Sequence, residues 1–293
     1  MSKHRAGYIS IIGKPNVGKS TLLNAMMGHK MAITTPKAQT TRHRIFGIIN
    51  GDDYQMVLSD TPGIIDPAYK LQESMMHYVD ESIVDGDVVL LILEVGQREL
   101  GEEVEKRLKR IKQPLILILN KIDQLEQAAV QSLIDHWKEK NITDTIIPVS
   151  ALNKFNTTEL KNMLVSMLPE SPPYFDKDQY TDKSDRFLSS EIIREKIFQR
   201  YKKEIPYSCQ VVVNSFKEGD KLIKIQADIM VERDSQKGIV IGNKGVALKN
   251  TGSAARQDLE NLFKKQVYLE LFVKVKENWR NDDKLLKEFG YEE

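Results

Sequence analysis

The first half of the chain alternates short apolar runs with longer segments whose apolar residues recur at helical spacing. The apolar runs lie at residues 8–12, 54–58, 88–93, 115–119 and 145–149. The clearest helical spacing joins Leu71, Met75, Val79 and Ile83, and a second helical segment runs from Val104 to Ile111. Because short buried strands that alternate with helices usually form parallel sheets, we predict an α/β domain with a mainly parallel sheet and helices on both faces.

The pattern changes after the fifth apolar run, where a proline-rich segment breaks both helix and strand. Residues 169–173 read Pro-Glu-Ser-Pro-Pro, and a polar stretch follows. We therefore predict a first domain at residues 1–170, a linker at 171–186 and a second domain at 187–293. The second domain reads as helix, strand, strand, helix, helix, strand and a short polar C-terminal helix that contains Leu285 and Leu286. This order predicts a smaller α+β fold.

A phosphate-binding pattern follows the first apolar run. Gly-Lys-Pro-Asn-Val-Gly-Lys-Ser at residues 13–20 fits G-x-x-x-x-G-K-[ST] and precedes a helical segment. The two glycines let successive backbone N–H groups point at one anion, and the helix start adds partial positive charge. Lys19 can then reach the β- and γ-phosphates of a nucleoside triphosphate, and the Ser20 hydroxyl can ligate Mg²⁺. The nucleotide-binding residues predicted here are Asn16, Val17, Gly18, Lys19, Ser20 and Thr21.

A second polar motif indicates which base is bound. Asn120-Lys121-Ile122-Asp123 directly follows the apolar run at 115–119. The Asp123 carboxylate can accept from both the ring N–H and the exocyclic amine of guanine, and adenine does not offer that pattern. Because an unpaired buried acceptor costs about 1–3 kcal/mol or more, this carboxylate favours GTP over ATP. The Lys121 stem can lie over the purine, and Asn120 can tie this segment to the phosphate loop. The guanine carbonyl side is assigned to Ser150, Ala151 and Leu152.

Two further segments are predicted to sense the γ-phosphate. In Asp60-Thr61-Pro62-Gly63, Asp60 would hold Mg²⁺ through water and the Gly63 N–H would contact the γ-phosphate; a plain turn explains the tetrapeptide alone equally well. In the non-periodic stretch at 34–44 a threonine hydroxyl would complete the Mg²⁺ shell, and we favour Thr41 over Thr40. Loops ordered by the γ-phosphate and freed by hydrolysis form a GTPase switch. The predicted catalytic residues are Lys19, Thr41 and Gly63, and the predicted metal ligands are Ser20, Thr41 and Asp60.

The residue after Gly63 is aliphatic. Ras-like GTPases carry a glutamine there that orients the attacking water, whereas this chain has Ile64. We therefore expect slow intrinsic hydrolysis, nearer to about 10⁻³ s⁻¹ than to the roughly 1–100 s⁻¹ that is typical of kinases. Asn16 could coordinate a monovalent cation such as K⁺ that supplies positive charge, although an asparagine that simply forms the loop beside Pro15 is an equally good explanation. The expected cofactors are GTP or GDP with Mg²⁺, and K⁺ stays open.

The second half carries one motif with its own chemistry. Ile241-Gly242-Asn243-Lys244-Gly245 lies between two predicted helices, and a G-x-x-G loop at such a place is typical of KH modules, which clamp a nucleic-acid backbone. Lys249 and Arg256 lie nearby in the following helix, which indicates a local basic face. The alternative is that the two glycines merely connect two helices.

Composition limits the alternatives. The chain has 293 residues and a net charge of +1, so overall charge does not mark a nucleic-acid binder. Its one cysteine, Cys209, excludes an intramolecular disulfide and suits a reducing compartment. We see no signal peptide, and the longest apolar runs are too short to span a bilayer. We therefore expect a monomeric cytoplasmic protein.

The two halves together resemble the Era family, the bacterial Ras-like GTPases of the TrmE-Era-EngA class that end in a KH domain. The resemblance covers nearly the whole length, and its most specific motifs are GKPNVGKST at 13–21, KAQTTRHR at 37–44, DTPG at 60–63, NKID at 120–123 and IGNKG at 241–245. It implies a P-loop GTPase domain followed by a type II KH domain. It further implies binding to the single-stranded 3′ end of 16S rRNA, not to DNA, and a role in maturation of the 30S subunit. The RNA-binding residues would be Gly242, Asn243, Lys244, Gly245, Lys249 and Arg256.

The resemblance also implies peripheral association with the cytoplasmic face of the membrane. The alternative function is accordingly a membrane-associated regulatory GTPase that acts in cell-cycle control through a protein or lipid target. The sequence has no lipidation signal and no long basic amphipathic helix, which disfavours this alternative.

Overall fold

The computed structural model describes residues 4–291, and contacts divide the chain into two compact units. The first unit extends to Asp182, and the second unit begins at Lys183. The short segment Tyr69–Leu71 is assigned to the second unit. The extreme ends of the predicted domains, Met1 and Glu293, lie outside the described residues. Each unit is described separately below.

The first part of the chain forms a six-stranded sheet within the described residues. Its strands and helices are β1 (Arg5–Ile12), α1 (Lys19–Met27), β2 (Ile45–Asn50), β3 (Tyr54–Asp60), α2 (Lys70–Asp85), β4 (Val88–Glu94), α3 (Glu102–Leu108), β5 (Leu115–Asn120), α4 (Gln127–Glu139), β6 (Ile146–Val149) and α5 (Thr157–Met167). The strand order is β2-β3-β1-β4-β5-β6, and only the β2–β3 pair is antiparallel. The predicted mainly parallel sheet is thus confirmed.

The central strands are apolar throughout because both of their faces are covered. Val88 to Leu93 of β4 are all fully buried, and β5 is buried from Ile116 onward. A parallel sheet covered on both sides needs such continuous apolar runs. Phosphate-binding and base-binding loops can then only leave the sheet at its strand ends, and this is where the polar motifs stand.

Strand β2 was not identified from the sequence. Its residues, Ile-Phe-Gly-Ile-Ile-Asn, follow the non-periodic stretch at 34–44 and pair antiparallel with β3, from Ile45 opposite Asp60 to Asn50 opposite Gln55. It lies at the edge of the sheet and directly continues the predicted switch segment.

Most of the segment predicted as a linker packs on the first unit. The buried Gln55 side chain accepts from the backbone N–H groups of Tyr174 and Phe175 at 2.7 and 2.9 Å, and it donates to the Phe175 carbonyl at 2.8 Å. The Ile48 N–H donates to the Tyr180 carbonyl at 2.9 Å, and the Tyr8 and Tyr174 rings stack at 5.2 Å. We call residues 171–182 the strap. Backbone groups of the strap therefore form hydrogen bonds with β2 and β3, and the boundary between the units falls after the strap.

The second unit is smaller and mixed in content. It comprises α6 (Asp185–Arg200), α7 (Ile205–Ser208), β7 (Gln210–Glu218), β8 (Leu222–Val231), α8 (Asp234–Ile241), α9 (Val246–Phe263), β9 (Gln266–Val275) and α10 (Asp283–Glu288). The sheet order is β7-β8-β9, antiparallel between β7 and β8 and parallel between β8 and β9. Buried side chains of α6, α9 and all three strands, among them Ile193, Ile197, Ala255 and Ile229, form its core. The predicted element order is present, including the short C-terminal helix, here α10, with the short α7 added.

Across residues 4–291, no helix combines the length and the apolar character that crossing a membrane requires.

Candidate nucleotide site and nucleic-acid loop

The phosphate-binding pattern forms a curled loop between β1 and α1. Gly18 has φ 99° and Asn16 has φ 65°, so the chain turns through the left-handed region just before the helix begins. The buried Lys19 folds back, and its Nζ donates to the carbonyls of Gly13 at 3.1 Å and Lys14 at 3.0 Å. The lysine thereby ties together the two carbonyls at the start of the loop. One cavity is lined by Pro15, Asn16, Gly18, Lys19, Ser20, Thr21, Thr41 and Gly63, with Thr34 and Gln39 among its other walls.

Three predicted metal ligands meet beside this loop. Ser20 Oγ donates to Asp60 Oδ2 at 2.6 Å and lies 2.9 Å from Thr41 Oγ1. Asp60 is fully buried, and its Oδ1 has no hydrogen-bond partner among the described residues. Hydroxyl and carboxylate oxygens are the ligands that Mg²⁺ takes from proteins, and a buried carboxylate oxygen without a partner leaves a position for it. These residues therefore fit the metal that the sequence predicts.

The electrostatics of the site point the same way. Burial raises the pKa of Asp60 to about 6, although hydrogen bonding from Ser20 and the nearby Lys19 charge oppose the rise. Burial lowers the pKa of Lys19 to about 8, and the Asp60 charge opposes that fall. Two ionisable groups are thus held where their charged forms are disfavoured, which is typical of a site that meets further charges when it is occupied.

The switch segments differ in how they face the cavity. The Thr40 hydroxyl is turned away, because it donates to the Lys37 carbonyl at 2.7 Å and lies 2.6 Å from Thr35 Oγ1. Thr41 therefore reaches Ser20 and Thr40 does not. Gly63 lies against the phosphate loop, since a Cβ there would come within 2.7 Å of Pro15. Ile64 is buried, and its N–H donates to the Gly13 carbonyl at 3.0 Å.

Asn120 joins the second motif to the phosphate loop, in the place that the sequence predicts. Its Nδ2 donates to the Val17 carbonyl at 2.8 Å, and its Oδ1 accepts from the Ala151 N–H at 3.0 Å. One buried side chain thus fixes three segments from different parts of the chain.

The remaining residues of the base motif have partners that the sequence only partly predicts. The Ser150 hydroxyl donates to Asp123 Oδ1 at 2.5 Å, so it orients the carboxylate, whereas the sequence pattern assigns it to the guanine carbonyl. Lys121 has φ 67°, and its Nζ lies 2.5 Å from Glu94 Oε2. The sequence does not predict Glu94 as the partner of Lys121, because Glu94 belongs to no motif. Its position at the end of a buried strand is the one feature of the sequence that points to this contact. Leu152 is 76% exposed, whereas Ala151 is buried.

The G-x-x-G motif lies between α8 and α9 as predicted. Gly242 has φ 71° and Gly245 has φ 77°, and Lys244 between them has φ 49°. A Cβ on Gly242 would meet the Ala247 side chain at 2.5 Å, whereas Gly245 has open space where its Cβ would stand. A groove begins at Gly245 and runs between α9 and β9; its walls include Leu248, Lys249, Gly252, Arg256, Leu269 and Leu271. Asn243 and Lys244 stand in the loop itself. Arg256 also forms an ion pair with Glu260 at 3.4 Å, so part of the positive charge on this face is neutralised.

Comparison with known families agrees with both units. The family model described as "50S ribosome-binding GTPase" matches residues 8–121, and the model described as "KH domain" matches residues 204–280.

Known proteins match the chain over its length. GTPase Era of Syntrophus aciditrophicus (strain SB) is 46% identical over 293 residues, which cover 99% of this chain and 96% of that protein. GTPase Era of Staphylococcus haemolyticus (strain JCSC1435) is 43% identical over 296 residues, covering 99% and 98% of the two chains.

A solved structure of Era with MgGDPNP and nucleotides 1506–1542 of 16S ribosomal RNA aligns with a TM-score of 0.93 at 38% identity, covering 98% of this chain and 99% of that one. A structure of an Aquifex aeolicus Era variant bound to GDP·AlF4⁻ has the same TM-score, identity and coverage. The chain therefore belongs to the Era family and is a GTPase with a C-terminal KH domain.

Proposed function

We propose that this GTPase binds the 3′ region of 16S rRNA through its G-x-x-G loop and assists maturation of the 30S ribosomal subunit, with the bound nucleotide controlling access of the RNA. One observation carries the proposal, namely that a single chain holds two distinct sites. In the first, Thr41 Oγ1 lies 2.9 Å from Ser20 Oγ beside the loop at residues 13–20. The second is a G-x-x-G loop that opens onto a groove whose walls include Lys249 and Arg256. The Era structure with MgGDPNP and a 16S rRNA segment supports the pairing of these two ligands.

In this proposal the phosphates of GTP enter the curled loop at residues 13–20. Backbone N–H groups of the loop and the Lys19 ammonium offset the phosphate charge. Burial lowers the Lys19 pKa only to about 8, so the side chain is still mostly protonated at neutral pH, and an adjacent phosphate would raise that pKa again.

Ser20, Thr41 and Asp60 are the residues that would hold Mg²⁺. When bound, the metal neutralises negative charge on the β- and γ-phosphates. Thr41 belongs to the switch segment, so an occupied site favours the position in which Thr41 lies beside Ser20. Once phosphate has left, that preference weakens, and the segment is released.

The base is selected by Asp123, whose carboxylate Ser150 orients. Asn120 keeps this edge in register with the phosphate loop, so base and phosphates are bound as one unit. Lys121 would cover the purine face with its aliphatic stem.

Hydrolysis should be slow because Ile64 is aliphatic and buried, and its backbone N–H is engaged by Gly13. We propose that a K⁺ ion held by Asn16 supplies part of the missing positive charge. Equal hydrolysis rates in KCl and NaCl would refute the role of K⁺.

The switch assignment has a matched pair of variants. Thr41→Val should lower GTP hydrolysis at least about 50-fold, because it removes a hydroxyl at the Mg²⁺ position. Thr40→Val should change it less than about threefold, since the Thr40 hydroxyl faces Thr35 and the Lys37 carbonyl. Similar losses in both variants would contradict the assignment.

Ribosome co-sedimentation tests the biological proposal. Full-length protein loaded with GDPNP should sediment with 30S subunits and less so when loaded with GDP. Failure to sediment in either state would contradict a role in 30S maturation. We also propose a monomeric cytoplasmic protein with peripheral membrane association, and flotation with anionic vesicles tests that association separately.

A further inference from the structure

We infer that Glu94 is a positioning residue for guanine-nucleotide binding, because it fixes the Lys121 side chain in the free protein. The inference rests on the proposed role of Lys121 in covering the purine. Glu94 belongs to no phosphate-binding, switch or base-binding motif, and it stands at the last position of β4.

The sheet places the two residues together. Strands β4 and β5 are parallel neighbours, and their register sets Glu94 opposite Asn120. Lys121 follows immediately, and its left-handed backbone turns the chain as it leaves the strand end. The resulting ion pair joins Lys121 Nζ to Glu94 Oε2 at 2.5 Å, with side chains 29% and 42% exposed.

Glu94 completes a set of three supports. Asn120 is anchored on the Val17 carbonyl, Asp123 is oriented by Ser150, and Lys121 is held by Glu94. The Ser150 contact concerns the carboxylate that reads the edge of the base. The Glu94 contact concerns the side chain that covers its face, so the two supports act on different parts of the nucleotide.

Holding a lysine in advance favours binding. A lysine side chain loses much rotamer freedom when it is fixed over a ligand, and a side chain that is already fixed loses less at that moment. The carboxylate also keeps the ammonium group at one place, so the methylene stem is presented to the base. Because the pair is partly solvated, we expect a moderate effect, about three- to tenfold in nucleotide affinity.

The test uses full-length Glu94→Gln, Lys121→Met and the double variant, with Glu139→Gln as a control at an exposed position on α4. Affinities for GDP and IDP are measured by fluorescence competition, and GTP turnover gives KM and kcat. Glu94→Gln should weaken GDP and IDP binding by the same factor of about three to ten and raise KM with kcat unchanged. The double variant should bind no more weakly than Lys121→Met, and the control should match the parent protein.

Inosine lacks the exocyclic amine that Asp123 reads, so the GDP-to-IDP ratio reports on Asp123. A changed ratio in Glu94→Gln would show that Glu94 merely supports the whole segment and would overturn the inference. Independent, additive losses in the double variant would overturn it as well. If Lys121→Met weakens GDP binding and Glu94→Gln does not, only the Glu94 inference fails. If Lys121→Met has no effect, the proposed role of Lys121 fails first and the inference falls with it.

Discussion

Gly18 leaves the space through which the Asn120 side chain reaches the phosphate loop: a Cβ on Gly18 would lie 2.2 Å from Asn120 Nδ2. That nitrogen donates to the neighbouring Val17 carbonyl, and the same side chain accepts from Ala151. The glycine also has φ 99°, a conformation that a residue with a side chain rarely adopts. The loop at residues 13–20 and the segment at residues 120–123 are therefore joined at one glycine.

Gly18→Ala should abolish this connection. The methyl group displaces Asn120 from two buried hydrogen bonds, each worth about 1–3 kcal/mol when its partner is left unpaired, so GDP affinity should fall by about 100-fold or more. Gly28→Ala is the matched control, because Gly28 ends α1 with φ 79° but has open space, with no atom within 4 Å, where its Cβ would stand. It should lose about 1 kcal/mol of stability and keep its GDP affinity. Equal losses of affinity in both variants would mean that backbone strain, rather than the displaced Asn120, is responsible.

Asp60→Asn should stabilise the nucleotide-free protein while it inactivates the enzyme. The folded-state pKa of Asp60 is about 6 against an ordinary 3.8, so the folded state binds more protons between these values. The Asp60 contribution to the free energy of unfolding should accordingly fall as pH rises from about 4 to 6. The variant should lack this contribution, so its free energy of unfolding should exceed that of the parent protein by about 1–3 kcal/mol at pH 7. GTP hydrolysis should drop at least about 100-fold.

Lys19 should have the opposite effect to Asp60: at high pH its contribution to the free energy of unfolding should rise as pH rises. Its folded-state pKa is about 8 against an ordinary 10.5, so stability should be lower at pH 8 and rise toward pH 10.5. Urea titrations of the nucleotide-free protein across both windows measure the two slopes. A difference in unfolding free energy between Asp60→Asn and the parent protein that stays constant from pH 4 to 6 would contradict the raised pKa of Asp60.

Gln55→Leu should detach the strap. The leucine leaves the N–H groups of Tyr174 and Phe175 without their acceptor. The free energy of unfolding of the variant should therefore be lower by about 2–4 kcal/mol. Hydrogen exchange at these two amides should become fast, and GDP affinity should stay unchanged. Gln127→Leu, at an exposed position on α4, is the control for the change in composition. Slow exchange at both amides in Gln55→Leu would show that the strap is held by other contacts.

Gly245→Asp should weaken RNA binding with little effect on folding. Open space lies where its Cβ would stand, so the variant adds a negative charge without a clash. Because asparagine tolerates the left-handed conformation, Gly245→Asn carries similar bulk and strain without the charge. We expect at least about a tenfold loss of RNA affinity for the aspartate and a much smaller loss for the asparagine. Equal RNA affinities in the two variants would show that charge at this loop does not affect RNA binding.

The sequence predicted those parts of the molecule in which the chemistry fixes residue type and spacing. A buried parallel strand must be apolar, and a loop that wraps phosphate needs glycine at positions such as Gly18, so both are visible in the pattern. For the threonine that completes the Mg²⁺ shell, the sequence favours Thr41 over Thr40. In the structure the Thr41 hydroxyl lies beside Ser20 and the Thr40 hydroxyl donates to the Lys37 carbonyl, and the metal-binding role stays a prediction.

What the sequence did not reveal depends on contacts between distant segments. Strand β2 is an edge strand that exists through pairing with β3, and its short apolar stretch follows a segment without periodicity. The strap is polar and proline-rich, so its sequence resembles that of a free linker. It is ordered because the Gln55 amide binds its backbone, and that contact joins residues about 120 positions apart. The partners of Ser150 and Lys121 likewise follow from the packing of strand ends.

The most direct test of the account is the affinity of the full-length protein for a single-stranded RNA that copies the 3′ end of 16S rRNA, measured by fluorescence anisotropy in the GDPNP-bound and GDP-bound states. We expect tighter binding with GDPNP and at least about tenfold weaker binding of a scrambled RNA. Equal affinity for the two RNAs, or affinity that does not depend on the nucleotide, would contradict a GTP-controlled switch that recognises this RNA.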